Sequence, residues 1–221
     1  MSHFSEVLKT LLLIVGALFP IVNPLGNAPI FLTFTRWSTS ATRRVLARKI
    51  ALNGFVLLVV SLLIGTHILA FFGISLPVIQ GGGGMVVIAT GWSLLTRKDE
   101  DETPAEAHRA ADSADVARKA FYPLTLPLTV GPGSISVAIT VGANRPRNME
   151  SSLPALEAAI LGAALIGVSI YLSYRFAESI ARVLGDTAMN VVIRLSSFIL
   201  LCIGVQIAWN GLSTLLRTVI H

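Results

Sequence analysis

Phe19-Pro20-Ile21-Val22-Asn23-Pro24-Leu25-Gly26-Asn27-Ala28-Pro29 returns, in altered form, as Tyr122-Pro123-Leu124-Thr125-Leu126-Pro127-Leu128-Thr129-Val130-Gly131-Pro132-Gly133. Proline stands at the same three places in both segments: Pro20, Pro24 and Pro29 against Pro123, Pro127 and Pro132. An aromatic residue precedes the first proline of each. At a proline background of roughly 5%, three such coincidences arise about once in 10⁴ trials, and still only about once in 100 over a hundred offsets. The chain is therefore read as an internal repeat of about half its length. Matching Gly/Pro interruptions in two hydrophobic segments are the best sequence pointer to a transporter's binding site.

Composition identifies the solvent. Of 221 residues, 53% are hydrophobic and 13% charged, whereas a soluble domain carries about 25% charged residues. With a mean hydropathy of +0.74, the chain is expected to be an integral membrane protein with the lipid bilayer as its first partner. The formal charge of +5 does not signal nucleic acid, because the basic residues cluster between apolar runs, as the positive-inside rule requires. The single cysteine, Cys202, supports no disulfide framework. The histidines at 3, 67, 108 and 221 are too scattered for a Cys/His metal site. The first apolar run has little basic flank and no small-x-small cleavage site, and is read as a retained span.

Apolar runs long enough to cross about 30 Å of hydrocarbon fall near 7–35, 50–72, 77–95, 121–143, 153–174 and 191–216. Each is expected to be helical, since only helices and closed barrels satisfy every backbone group in lipid. The fold class is thus an all-α integral membrane protein of six transmembrane helices. Three spans per repeat, an odd number, turn the second copy upside down. The units are 1–96, a linker at 97–119 that holds seven of the twelve acids, and 120–221. Of the lysines and arginines, 13 fall on the side of the 36–49 and 97–119 segments and 4 on the other. Both termini should therefore face outward and the linker the cytoplasm.

Proline within a helix removes a donor and clashes with the preceding turn. Three within ten residues, with Gly26 in one copy and Gly131 and Gly133 in the other, should interrupt helices one and four at mid-membrane depth. Such breaks leave free N–H groups at one half-helix end and free C=O groups at the other. A carboxylate suits the first and an ammonium the second, so the expected ligand is a small zwitterion. Asn23, Pro24, Gly26, Asn27, Thr125, Thr129, Gly131, Gly133 and Ser134 are the candidate substrate-binding residues. Against this stands the bland alternative that Pro and Gly only kink two helices for packing.

Other polar residues carry less. Asn53, Gln206 and Asn210 either reach a cavity or join helices. The glycines at 81–84 permit close packing or a further break. Small residues of span five (Gly162, Ala163, Ala164, Gly167) offer packing faces, within the chain or between chains. His67 is expected as an interfacial residue, Glu157 and Arg194 as interface anchors, and Glu178, Arg182 and Asp186 as a solvated face. No acid lies deep within a span, and no P-loop, zinc motif or placed nucleophile is present in the membrane. Catalysis is not expected, and no cofactor is called for; a coupling ion, sodium or proton, stays open.

Asn23-Pro24-Leu25-Gly26-Asn27-Ala28-Pro29-Ile30-Phe31-Leu32, with the downstream Gly131-Pro132-Gly133, resembles the MarC family of bacterial inner-membrane proteins. Phe72-Gly73-Ile74-Ser75 and Gly204-Val205-Gln206 match the same family's habits. The resemblance covers essentially the whole chain. It implies six helices in two inverted three-helix repeats, residence in the inner membrane, and transport of small neutral amino acids such as alanine, glycine or serine, export included. Gln80 departs from the pattern, since many members are basic there. A passive channel or carrier for another small neutral solute, and a non-transporting scaffold, remain alternatives, and oligomerisation is open.

Overall fold

A computed structural model of the chain describes residues 3–36, 38–96, 118, 120–143 and 149–220, and every regular element among them is helical. The expected linker at 97–119, Arg118 apart, lies outside the described residues, as do Arg145 and Arg147. The elements are α1 (His3–Val22), α2 (Pro24–Phe34), α3 (Ser40–Phe71), α4 (Leu76–Thr96), a π-type segment (Ala120–Thr129), α5 (Pro132–Ala143), α6 (Met149–Arg175) and α7 (Ala177–Ile220). Five stretches are long and apolar enough to cross a membrane: His3–Phe34, Ser40–Phe71, Leu76–Thr96, Leu153–Arg175 and Asn190–Arg217. The π segment and α5, bent by 67° at their junction, supply a sixth if taken as one span.

Two glycines turn the chain where a span must reverse. Gly73 (φ 66°) lies between α3 and α4, and Gly185 (φ 70°) interrupts α7 before its long apolar part. Both backbones are left-handed, a conformation glycine adopts without a Cβ penalty. They follow Phe72 and Leu184, so the two turns also share an apolar residue on their N-terminal side.

The main packings run between elements before and after the 97–119 segment. α1 lies on α6, α3 on both α5 and α6, and α4 on α7. The two parts of the chain are interleaved and share one core, built around Leu18, Phe31, Ile50, Leu58, Ala138, Ala159, Ala163 and Ile166. The exposed faces of α1, α3 and α6 are large and aliphatic, including Leu12, Leu13, Val56, Ile64, Leu161 and Leu165, as lipid contact favours.

Lipid tails are as apolar as leucine, so helices in a membrane associate through close packing. Here α4 and α7 meet through glycines on both sides. A Cβ on Gly84 would strike the backbone of Ala208. One on Gly91 would lie 2.8 Å from Leu201 N, and one on Gly204 would lie 2.7 Å from Ile88 N. Gly83 faces Ser136 of α5 in the same way, at 2.5 Å from its Cβ. α4 is therefore continuous through residues 81–84, and the glycine run serves packing. The small residues of span five pack within the chain: Gly162 against Ile14 of α1, Gly167 against Ala51 and Phe55 of α3.

These contacts generate a controlled comparison. Gly82 has open space around its missing Cβ whereas Gly84 does not. Gly82→Ala should gain up to about 1 kcal/mol of helix propensity. Gly84→Ala should lose about 1–3 kcal/mol through overpacking. Thermal unfolding of the purified protein in detergent should show the midpoint rising or holding for the first variant and falling for the second.

Candidate functional site

The prolines of the first motif do not each end a helix. Pro20 lies within α1 and Pro29 within α2, and the break falls at Asn23, which is left-handed (φ 45°, ψ 58°). Asparagine visits this region more readily than other residues with a Cβ. Its Oδ1 accepts from Gly26 N at 3.2 Å, capping α2 behind Pro24 at the first helical position, where a missing N–H costs nothing. Gly26 is required there by space, because a Cβ would overlap the Asn23 carboxamide that caps it.

The second motif is wound differently. Tyr122 (φ −124°, ψ 127°) and Leu126 (φ −107°, ψ 126°) are extended, as residues before proline are pushed to be. The chain between them follows a wide turn in which Val130 N donates to Thr125 O, five residues back, at 2.8 Å. Thr125 Oγ1 donates to Ala120 O and Thr129 Oγ1 to Leu124 O, each at 2.6 Å. Each threonine has one proton, and it is spent on a carbonyl. Thr125 therefore accepts from Asn53 Nδ2 of α3 (3.4 Å), and Thr129 accepts from Tyr174 Oη of α6 (2.7 Å). Both threonines are fully buried.

Asn27 joins the two motifs. Its Nδ2 donates to Val22 O at 2.9 Å and to Leu128 O at 3.2 Å. The α-helical donor for Leu128 O would be residue 132, a proline without an N–H. The α-helical donor for Val22 O would be Gly26 N, which is turned toward Asn23 Oδ1. One buried carboxamide thus replaces two missing backbone donors, one on each interrupted span. A buried carbonyl left without a partner costs about 1–3 kcal/mol, so this amide is a fixture of the site.

Around the second break, Ser134 Oγ donates to Gly131 O at 2.9 Å. Gly131 has no room for a side chain, since a Cβ would lie 2.8 Å from Pro127 O. Gly133 is pressed against Val87 of α4. Among the described residues nothing accepts from the N–H of Gly131 or Ser134. Nor does any described group pair with Asn27 Oδ1 or Asn23 Nδ2. Pro20 O is deprived of its helical donor by Pro24.

Thr125, Thr129 and the Asn27 amide therefore complete backbones, while Asn23, Gly131 and Ser134 retain unused polar groups. Gln206 Nε2 donates to Asn210 Oδ1 at 2.9 Å, and both residues are exposed on α7. Gln80 Nε2 donates to Thr140 Oγ1 of α5 at 3.3 Å. His67 is exposed, and Glu157 meets His3 at 3.7 Å. Glu178, expected on a solvated face, is ion-paired with Arg43. Tyr174 was missed: at the end of a span, a tyrosine looks like an interfacial anchor.

Interleaved apolar helices around two proline-rich breaks define a polytopic membrane protein. The model of the MarC family of integral membrane proteins matches residues 8–216, and the chain belongs to that family. It is 31% identical over 196 residues to the UPF0056 membrane protein YvbG of Bacillus subtilis, covering 89% of this chain and 90% of that one. It is 29% identical to the UPF0056 membrane protein YhcE of Escherichia coli K12, with 88% of each chain covered. The UPF0056 inner membrane protein MarC of Escherichia coli O1:K1 is 28% identical over 96% of this chain and 98% of its own. No solved structure matches the chain.

The hydrogen-bond assignments are open to a stability test. Asn27→Leu should orphan two carbonyls and lower stability by about 2–4 kcal/mol. Thr129→Ser, which keeps the hydroxyl, should lie close to wild type, while Thr129→Val should lose about 1–3 kcal/mol by leaving Leu124 O and Tyr174 unpaired. Thermal midpoints of the three purified variants would check the order.

Proposed function

We propose that this protein is a secondary transporter of small neutral amino acids, of the size of alanine, glycine or serine, held where the two interrupted spans meet. The observation that carries the reading is the Asn27 carboxamide, which touches both breaks at once. The groups left over around it suit a zwitterion. Asn23 Nδ2 and the N–H groups of Gly131 and Ser134 are donors for a carboxylate, and Asn27 Oδ1 and Pro20 O are acceptors for an ammonium. Broken backbone at membrane depth is tolerated where it is buried in protein or lines a wet cavity.

An inverted repeat supports alternating access. Under exchange of α1 and α2 with the π segment and α5, of α3 with α6, and of α4 with α7, the packings correspond. α4 on α5 answers α7 on α2, and the π segment on α3 answers α1 on α6. The turns at Gly73 and Gly185 form one more matched pair. The chain resides in the bacterial inner membrane with both termini outside, in keeping with the clustering of its lysines and arginines. The coupling ion, sodium or proton, is left open by the site.

Proteoliposomes loaded with unlabelled L-alanine should take up labelled L-alanine faster than empty ones. Gly131→Val, whose branched side chain would meet Pro127 O, should reduce that acceleration at least about tenfold in protein that still elutes as a folded species. Uptake without acceleration would point to a channel, and no alanine flux to a different solute.

A further inference from the structure

Asn27, Phe31 and Thr35 follow one another at intervals of four along α2 and its last turn, and so share one face. Each is tied to a later part of the chain. Asn27 Nδ2 reaches Leu128 O at 3.2 Å. The ring of Phe31 stacks on Tyr174, centroids 4.6 Å apart and 7° from parallel, and Tyr174 in turn bonds Thr129. The carbonyl of Thr35 accepts from Arg43 Nε at 3.0 Å, and the same guanidinium donates to Arg36 O at 3.2 Å and pairs with Glu178. Glu178 lies four residues beyond Tyr174, and the helical ladder runs through Phe176 between them. Two rows of side chains therefore face each other over about 12 Å of helix, from the breaks to the arginine-rich end of α2.

We propose that this row is the gate that closes the Arg43 side of the solute path, a reading that rests on the transporter function above. Three features separate it from the static packing elsewhere. Its cross-contacts run through side chains, one amide hydrogen bond, one ring stack and one ion pair, so the two backbones keep some freedom to separate. The glycine contacts of α4 with α7 and of α3 with α5 bring backbones together and leave no such freedom. The row is also carried by a short helix with its own hinge, since Asn23 uncouples α2 from α1. Its outer end is the weakest point, because the Glu178 side chain is 42% exposed and water can compete for Arg43. Opening starts there: Arg43 releases Glu178, the Phe31–Tyr174 stack slides apart, and α2 pivots at Asn23 to uncover the breaks. Arg43 lies in the first, exposed turn of α3 and keeps its bonds to Thr35 and Arg36, so that this turn moves with the end of α2.

The test reads accessibility rather than flux. In a Cys202→Ala background, a cysteine is placed at Thr35, which is 2% exposed in the closed row, and a second protein carries Ala163→Cys in the core. Both are held in lipid nanodiscs and labelled with a charged maleimide, with and without Glu178→Gln. That substitution removes the ion pair but leaves the caps that Arg43 places on α2. The expected result is a labelling rate at position 35 raised about tenfold by Glu178→Gln, with position 163 unchanged. Equal rates at position 35 would overturn the gate. A rise at both positions would overturn it as well, since it would report general loosening. Alanine counterflow measured on the same proteins keeps the two readings apart: counterflow absent while the labelling difference stands overturns the amino-acid assignment alone.

Discussion

A carbonyl abandoned by proline inside a bilayer has no water to turn to, and the centre of this molecule is organised around that constraint. Two spans carry prolines four residues apart, so several carbonyls lose their helical donors. Leu128 O, opposite Pro132, is recovered by Asn27 from the other span, and within the π segment the hydroxyls of Thr125 and Thr129 bond the carbonyls of Ala120 and Leu124. The threonines can do this because each hydroxyl is left with an acceptor site, filled by Asn53 or Tyr174 from a packed helix. Local repair thereby becomes tertiary contact, and the breaks can exist only where α2, α3 and α6 converge on them.

That convergence needs helices at short range, which explains the placing of the small residues. Gly84 and Gly91 on α4 and Gly204 on α7 let backbones touch, and Gly83 and Gly133 let α4 and α5 lie close by making room for Ser136 and Val87. Gly65 of α3 makes room for the Ile139 side chain of α5, which a Cβ would strike. Between α4 and α7, and between Gly142 of α5 and Leu62 of α3, backbone lies against backbone. α2, set between Asn23 and the turn before α3, meets its neighbours through the Asn27 amide, the Phe31 ring and the bonds from Arg43 to its last turn.

Much of this was legible along the chain. Hydrophobic runs marked the spans, and the repeated proline spacing marked the breaks, because proline acts on backbone within a few residues of itself. The paired turns at Gly73 and Gly185 were visible as Phe72-Gly73 and Leu184-Gly185. What the two motifs would do with the same prolines was not visible. The first keeps α-helix on either side of Asn23, and the second unwinds into a π-type turn. The difference traces to Asn23, which can cap α2 from a left-handed conformation; Leu126 at the matching place cannot. Tyr174 was not singled out and Glu178 was read only as part of a solvated face, since their partners Phe31, Thr129 and Arg43 lie far away in sequence.

The sequence by itself determined the solvent, the number and length of the apolar runs, the places where helices must fail, and membership of a family. All of these follow from composition and from interactions that span a few residues. Only the tertiary structure decided which polar groups at the breaks are consumed and which are left over. Asn27, Thr125 and Thr129 look equivalent as polar residues beside prolines. Whether each one's hydrogen-bonding capacity remains free depends on which carbonyl or hydroxyl the packing of distant helices brings within about 3 Å of it.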